Sequence, residues 1–509
     1  MILGAADLTA DVDVSCDGCV LGSGAGGAVL AAGLAEQGLS VVILEEGGHF
    51  TSKQFRKLDE AWSFPALYQE RGTRATADLA ITVLQGRSVG GGTTVNWTTC
   101  FRTPERILAR WREAHGLELT AEELAPHFDA VEARLGIERW EAAPPNENNH
   151  KLALAAERLG WTWERTRRNV RGCANSGYCG FGCPYDAKQA MGLTYVPDAV
   201  AAGARVYSDT RADRIEVEGD RVRAIHASVM DPRRDRPGRT RVVVRPKVAV
   251  VAGGAINSPA LLLRSVIGGG PLGRRTFLHP VVSVSGVYDA PVHGWYGAPQ
   301  SVSSHEFIDR GPDEYGFFLE HAPVHPMLAG VSLPVGGAAQ QEAMGLLART
   351  SSMLALHVDG LLPGDDGGTV SLRGDGRARL DYPIPERLQR AMRSSHGIMA
   401  RAHLAAGAVR VATLHGTPRV LASEAELPLL DEAPYGAGEV AVFSAHQMGG
   451  CAMGPDPATS VVGPDLRHHR VPNLFVVDGS VLPTALGVNP SETIYGLAHR
   501  ARRAVGSAV

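Results

Sequence analysis

The first residues that could do chemistry are glycines. Gly22, Gly24 and Gly27 lay out GxGxxG in the run Gly22-Ser23-Gly24-Ala25-Gly26-Gly27. In that spacing the first glycine makes a tight turn, the second lets backbone approach a pyrophosphate, and the third packs a helix on a strand. A helix starting there offers N–H groups and the positive end of its dipole to phosphate oxygens. Glu45 follows about twenty residues on, where a carboxylate can accept hydrogen bonds from ribose hydroxyls. Such an acid serves NAD and FAD alike. A second run, Gly86-Arg87-Ser88-Val89-Gly90-Gly91-Gly92-Thr93-Thr94-Val95-Asn96, places consecutive glycines ahead of hydroxyls. It suits another close approach of backbone to a phosphate or a ring.

Thiols and imidazoles offer other chemistries. Cys173, Cys179 and Cys183 precede Pro184 in a C-x5-C-x3-C-P run that superficially resembles an iron–sulfur motif. A cluster normally takes four thiolates at tighter spacing, so packed free thiols are the expectation and no metal is assigned. Cys16 and Cys19 form C-x-x-C, but Cys19 falls in an apolar strand and reads as a small hydrophobe. His321 and His325 are spaced H-x3-H, yet Pro323 and Pro326 argue against a helix aligning them on a metal, which leaves turn histidines. His468-His469, between two arginines, reads as a surface turn. Ser258, in AINSP, lacks the G-x-S-x-G elbow of a nucleophilic serine and reads as structural.

Several elements must position these groups. GCVLG (18–22), AVLAAGLAEQ (28–37) and SVVILE (40–45) form a strand, helix and strand with buried parallel strands. Helical spacing recurs at 103–115, 121–135, 150–160, 386–407 and 491–505. From 205 to 251 the pattern is strand-like, with DPRRDRPGRT as a solvated hairpin tip. Residues 281–290 and 315–335 also read as strands, and 367–385 as a hairpin turning at GDG. VPNLFVVDGS (471–480) is a further buried strand. His321 to Gln341 holds no Asp, Glu, Lys or Arg, and reads as core or as the wall of an apolar pocket.

Composition sets the outer limits. The chain has 509 residues, 44% of them hydrophobic, with a formal net charge of -4, which excludes a disordered protein. Lys+Arg (50) fall below Asp+Glu (54), against nucleic-acid binding. No long apolar run free of Gly and Pro suggests a transmembrane segment. The acidic first residues, MILGAADLTADVDVS, show no secretory signal, and seven Cys are too few for a disulfide scaffold, so the expected compartment is cytoplasmic.

Taken together, GSGAGG with LEEGG, then GRSVGGGTTVNW, AGGAINSPALLLRSVIG (252–268), LGRRTFLHP (272–280), HQMGGCAMGP (446–455) and VDGSVLPTALGVNPSETI (477–494) resemble the glucose–methanol–choline (GMC) flavoprotein oxidoreductases. GCANSGYCGFGCPYDAK and HQMGGCAMG are similar to the long-chain alcohol oxidase branch, with cholesterol oxidase-like enzymes also near in motif. The resemblance implies FAD as cofactor. It implies an α/β fold: a Rossmann-type FAD-binding domain (10–115, 195–285, 438–509) and a discontinuous substrate domain on an antiparallel sheet flanked by helices (116–194, 286–437). Carried over, Gly22, Gly24 and Gly27 approach the pyrophosphate and Glu45 the adenosine ribose. Gly91, Gly92 and Asn96 lie along the phosphate and flavin, and Asp478 and Gly479 near the ribityl and pyrophosphate. His446 matches the family's catalytic histidine, and Asn489 its partner. The helix after Pro490 would point N–H groups at the flavin pyrimidine edge.

The chemistry this implies is oxidation of an alcohol, with a hydroxyl proton taken by His446 and a hydride by flavin N5. The branch tilts the substrate toward hydrophobic alcohols. The electron acceptor is oxygen, a quinone or a carrier protein. Hydroxynitrile cleavage and fatty-acid decarboxylation are the alternatives within the same family. The latter calls for an Arg or Lys to hold a carboxylate, and neither catalytic motif supplies one.

Overall fold

Short apolar runs separated by glycine turns assemble the first sheet. In the computed structural model, which describes residues 1–509, its strands are β1 (Ile2–Leu3), β2 (Val12–Leu21), β3 (Val41–Leu44), β4 (Arg205–Tyr207), β5 (Thr210–Glu218), β6 (Arg221–Met230) and β7 (Pro237–Val251). The order is β1-β4-β3-β2-β7-β6-β5. β1, β4, β3, β2 and β7 pair in parallel, while β7, β6 and β5 form an antiparallel meander. Helix α1 (Ala25–Glu36) joins β2 to β3 and is buried along most of its length, which its run of Ala, Gly and Leu permits. Cys19 is fully buried in β2. Helix α2 (Gly254–Arg264) leaves the end of β7 just as α1 leaves β2.

The second sheet is built from β8 (Val281–Val287), β9 (Phe317–His321), β10 (Thr350–His357), β11 (Arg410–Thr413) and β12 (Val442–Ser444). β9, β10, β8 and β11 are antiparallel neighbours in that order, and β12 joins β8 through Val281 and Phe443. Alternation along the strands decides which way each residue faces. Val282 and Val284 of β8, and Met353 and Ala355 of β10, share one apolar core with Phe317 and Leu319 of β9. The intervening Val281, Phe318, Leu354 and Leu356 belong to the other core, which reaches the first sheet. Glu320 is in phase with Phe318 and pairs with Leu354.

Between β9 and β10 lie helices α3 (Pro326–Ser332) and α4 (Gly337–Gly345), neither of which buries a residue. This corrects two expectations. Strand structure in 315–335 stops at His321, because Pro323 and Pro326 end it and Pro326 opens a helix. The uncharged stretch from His321 to Gln341 is core only at its start, and Val331 is 68% exposed. Helix α5 (Glu386–Ala405) then covers the outer face of the second sheet with Leu388, Met392 and Met399. The chain returns to the first sheet in β13 (Leu474–Val476), beside the end of β7, and finishes in α6 (Ser491–Gly506). β13 is shorter than the strand read over 471–480. His468 is also not a surface residue: it is buried, with its N–H donating to Leu474 O at 2.8 Å.

Candidate active site

A cavity of about 690 Å³ runs from the carboxyl ends of β2 and β3 to the inner face of the second sheet. Gly22, Gly24, Glu45, Gly91, Gly92, Asn96, Asp478, Gly479 and Pro490 all line it, together with His446 and Asn489. The glycines serve different ends. Gly22 has φ 116°, and a Cβ there would sit 2.3 Å from Ala252 O, so no other residue fits its turn. At Gly27 a Cβ would meet Gly22 O at 2.0 Å, and the residue faces this turn instead of the cavity. Gly27 therefore packs helix on strand and holds the turn closed. At Gly24 the nearest atom to an added Cβ is 3.7 Å away, and at Gly92 nothing lies within 4 Å. These two present bare backbone to open cavity space, a cradle that a side chain would fill.

The two glycine loops are tied together by Ser23. Its Oγ donates to Glu45 Oε2 at 2.7 Å and accepts from the N–H of Gly90 at 3.0 Å. Glu45 also accepts from the N–H groups of Ser23 and Gly47. Burial still pushes its pKa up to about 7. Asp478 accepts from the N–H groups of Gly254 and Ser480, each at 2.8 Å, and from Ser258 Oγ. Ser258 thus orients an acid and joins α2 to the C-terminal segment. Lys188, which the sequence reading missed, donates to the carbonyls of Thr94, Asn96 and Cys179 and braces the second glycine loop from behind. The seven cysteines are free thiols, with Cys179 Sγ 3.9 Å from buried Arg168. His321 is buried in β9 and His325 precedes α3, its Nε2 against Gly177 O at 3.1 Å.

At the far end of the cavity, Asn489 Nδ2 lies 3.3 Å from His446 Nε2. β12 and the turn after it carry His446, and Pro490 starts α6 immediately after Asn489. Desolvation lowers the His446 pKa to about 4, so the ring is neutral at pH 7. Two further residues complete the cluster, and the sequence reading named neither. His279 Nδ1 is 3.1 Å from His446 Nδ1. Glu320 Oε2 is 3.4 Å from Asn489 Nδ2 and also accepts from Gln300 Nε2. His279 lay inside the quoted LGRRTFLHP, and Glu320 was an acid set in an apolar strand, but neither signal says what it meets. Around this cluster the cavity wall is apolar, with Val281, Leu354, Leu356 and Phe443.

A glycine cradle on a parallel sheet, opening onto a neutral histidine and an amide, defines a Rossmann-type oxidoreductase. The chain belongs to the GMC oxidoreductase family, whose N-terminal pattern matches residues 64–281 and whose C-terminal pattern matches 366–498. Residues 20–66 also match an NAD(P)-binding Rossmann-like domain. The chain is 35% identical over 490 residues to an uncharacterized GMC-type oxidoreductase of Mycobacterium tuberculosis, covering 95% of this chain and 74% of that one. It is 31% identical over 512 residues to a long-chain-alcohol oxidase of Arabidopsis thaliana, covering 96% and 66%. Among solved structures, pyridoxine 4-oxidase from Mesorbium loti superposes with a TM-score of 0.71 at 20% identity, covering 96% of this chain and 99% of that one. Formate oxidase gives a TM-score of 0.70 at 15% identity, covering 98% and 99%. No helix is long and apolar enough to cross a membrane.

Proposed function

We propose that this chain is an FAD-dependent oxidoreductase acting on CH–OH groups, converting a hydrophobic alcohol to an aldehyde or ketone. The observation that carries the reading is the meeting of His446 and Asn489, 3.3 Å apart, on an apolar cavity wall continuous with the glycine cradle. The turn of Gly22, Gly24 and Gly27 would hold the FAD pyrophosphate and Glu45 the adenosine ribose, with Gly91, Gly92 and Asn96 along the phosphate and flavin side, Asp478 and Gly479 near the ribityl and pyrophosphate, and the helix after Pro490 at the flavin pyrimidine edge. The bare backbone at Gly24 and Gly92 and the unpaired Oδ1 of Asn96 fit such a group. When bound, FAD supplies a hydride acceptor at flavin N5.

The protein's own groups handle the alcohol. A neutral imidazole can take the hydroxyl proton, and the low pKa of His446 keeps it neutral. The Asn489 amide holds the alcohol oxygen and so aims the carbinol carbon. Val281, Leu354, Leu356 and Phe443 favour an apolar chain and exclude water. In this reading residues 10–115, 195–285 and 438–509 form the FAD-binding domain, and 116–194 and 286–437 the substrate domain.

The test is to mix the purified flavoprotein with a panel of alcohols without oxygen. Bleaching of the flavin band by an apolar alcohol supports the reading. An intact band across the panel, with turnover of a cyanohydrin or a fatty acid, would replace it with a lyase or decarboxylase. Neither catalytic motif supplies an Arg or Lys to hold a carboxylate, which favours oxidation.

A further inference from the structure

Glu320 is the buried acid that this reaction does not yet use. It has no solvent exposure, and its polar partners are two amides, Gln300 Nε2 and Asn489 Nδ2, both on Oε2. Its Oε1 has no partner at all. Such a carboxyl in a core strand replaces what would otherwise be an apolar residue in phase with Phe318, so its burial demands a return. Gln300 is itself held, its Oε1 accepting from Thr99 Oγ1 at 3.0 Å. The acid is thus fixed on one side and reaches Asn489 on the other.

We infer that Glu320 is a positioning residue of the active site: by accepting one hydrogen of the Asn489 amide on Oε2, it turns that amide's nitrogen toward His446 and the alcohol oxygen. The inference rests on the alcohol-oxidising reading above and deepens it. Without an acceptor at this point, an amide beside an imidazole can present either its oxygen or its nitrogen. With Glu320 in place, one N–H is committed to Oε2, and the second, which faces His446 Nε2, is the one that an alcohol oxygen placed beside that nitrogen would accept. The carboxyl does this as an uncharged acid. No cation neutralises it, Oε1 is unsolvated, and burial pushes its pKa up to about 8.

Four variants test this in the FAD-loaded protein, read by anaerobic flavin reduction with an alcohol that bleaches the wild type. Glu320→Leu removes the acceptor, and the limiting reduction rate is expected to fall about 10²-fold, the cost of a misplaced contact. Glu320→Gln keeps an uncharged acceptor and is expected to restore the rate to within about tenfold of wild type, by the same positioning argument. Glu320→Leu combined with Asn489→Ala is expected to be no slower than Asn489→Ala alone, because Glu320 acts through that amide. Multiplying effects in the double variant, or a Glu320→Gln rate as low as that of Glu320→Leu, would overturn the inference. A second readout is independent of activity: the infrared spectrum at pH 7 should contain an un-ionised carboxyl band that Glu320→Gln lacks. Its absence from the wild type overturns the uncharged form, and this arm stands even if Glu320→Leu does not fold. If Asn489→Ala reduces as fast as wild type, the proposed function fails instead, whatever Glu320 does.

Discussion

His446 can take a proton only while its ring is neutral, and burial in the wall of the cavity extends that range downward. Its pKa is lowered from the ordinary 6.5 to about 4. The neutral, competent form therefore persists as pH falls through 6.5 and is lost only as pH falls through about 4. The acid limb of the flavin-reduction rate is expected near pH 4, measured by rapid mixing across a buffer series. A limb at 6.5 would mean a solvated ring. His446→Ala should slow reduction by about 10²–10⁴-fold, the usual worth of a positioned acid or base. His446 and Asn489 were legible in the sequence because each sits in a short motif with distinctive neighbours. Glu320 and His279 were not, because they act through contacts between residues far apart in the chain. Their positions are set by strand phase and by packing across the second sheet, which local spacing does not encode.

At the level of elements, the glycine cradle divides into glycines the fold needs and glycines the ligand needs. Gly22→Val would force a side chain into a left-handed turn with its Cβ 2.3 Å from Ala252 O. A loss of about 1–3 kcal/mol or more is expected from the strain alone, seen as a lower Tm of the apoprotein. Gly24→Val meets no protein atom closer than 3.7 Å from the Cβ position, so the apoprotein should melt within a few degrees of wild type. It should, however, fail to retain flavin absorbance through gel filtration. Equal damage to folding by both substitutions would contradict the division. The strand–turn–helix–strand opening was readable because hydrophobic periodicity and glycine turns agree over that stretch. The region after β9 was misread because an uncharged run looks the same whether it is core or surface. Only the tertiary packing, with α3 and α4 lying on the outside, distinguishes them.

The molecule holds two large apolar cores, the first lining the cavity with Val281, Leu354 and Leu356 and the second packed between the second sheet and α5, with α3 and α4 outside both. Stability should follow that map and not hydrophobicity as such. Val331→Asp, on exposed α3, is expected to change stability by no more than about 0.5 kcal/mol, as for other surface substitutions. Phe318→Ala, fully buried against the rings of His279 and His305, should cost about 3–5 kcal/mol in denaturant unfolding. It should also loosen the His446 cluster, because His279 is packed between Phe318 and His446. The measurement that bears most directly on the central claim is single-turnover flavin reduction by a long-chain primary alcohol, with and without deuterium on the carbinol carbon. Bleaching of the flavin that slows on deuteration is the predicted result. A flavin that stays oxidised while the substrate is consumed would contradict hydride transfer from an alcohol.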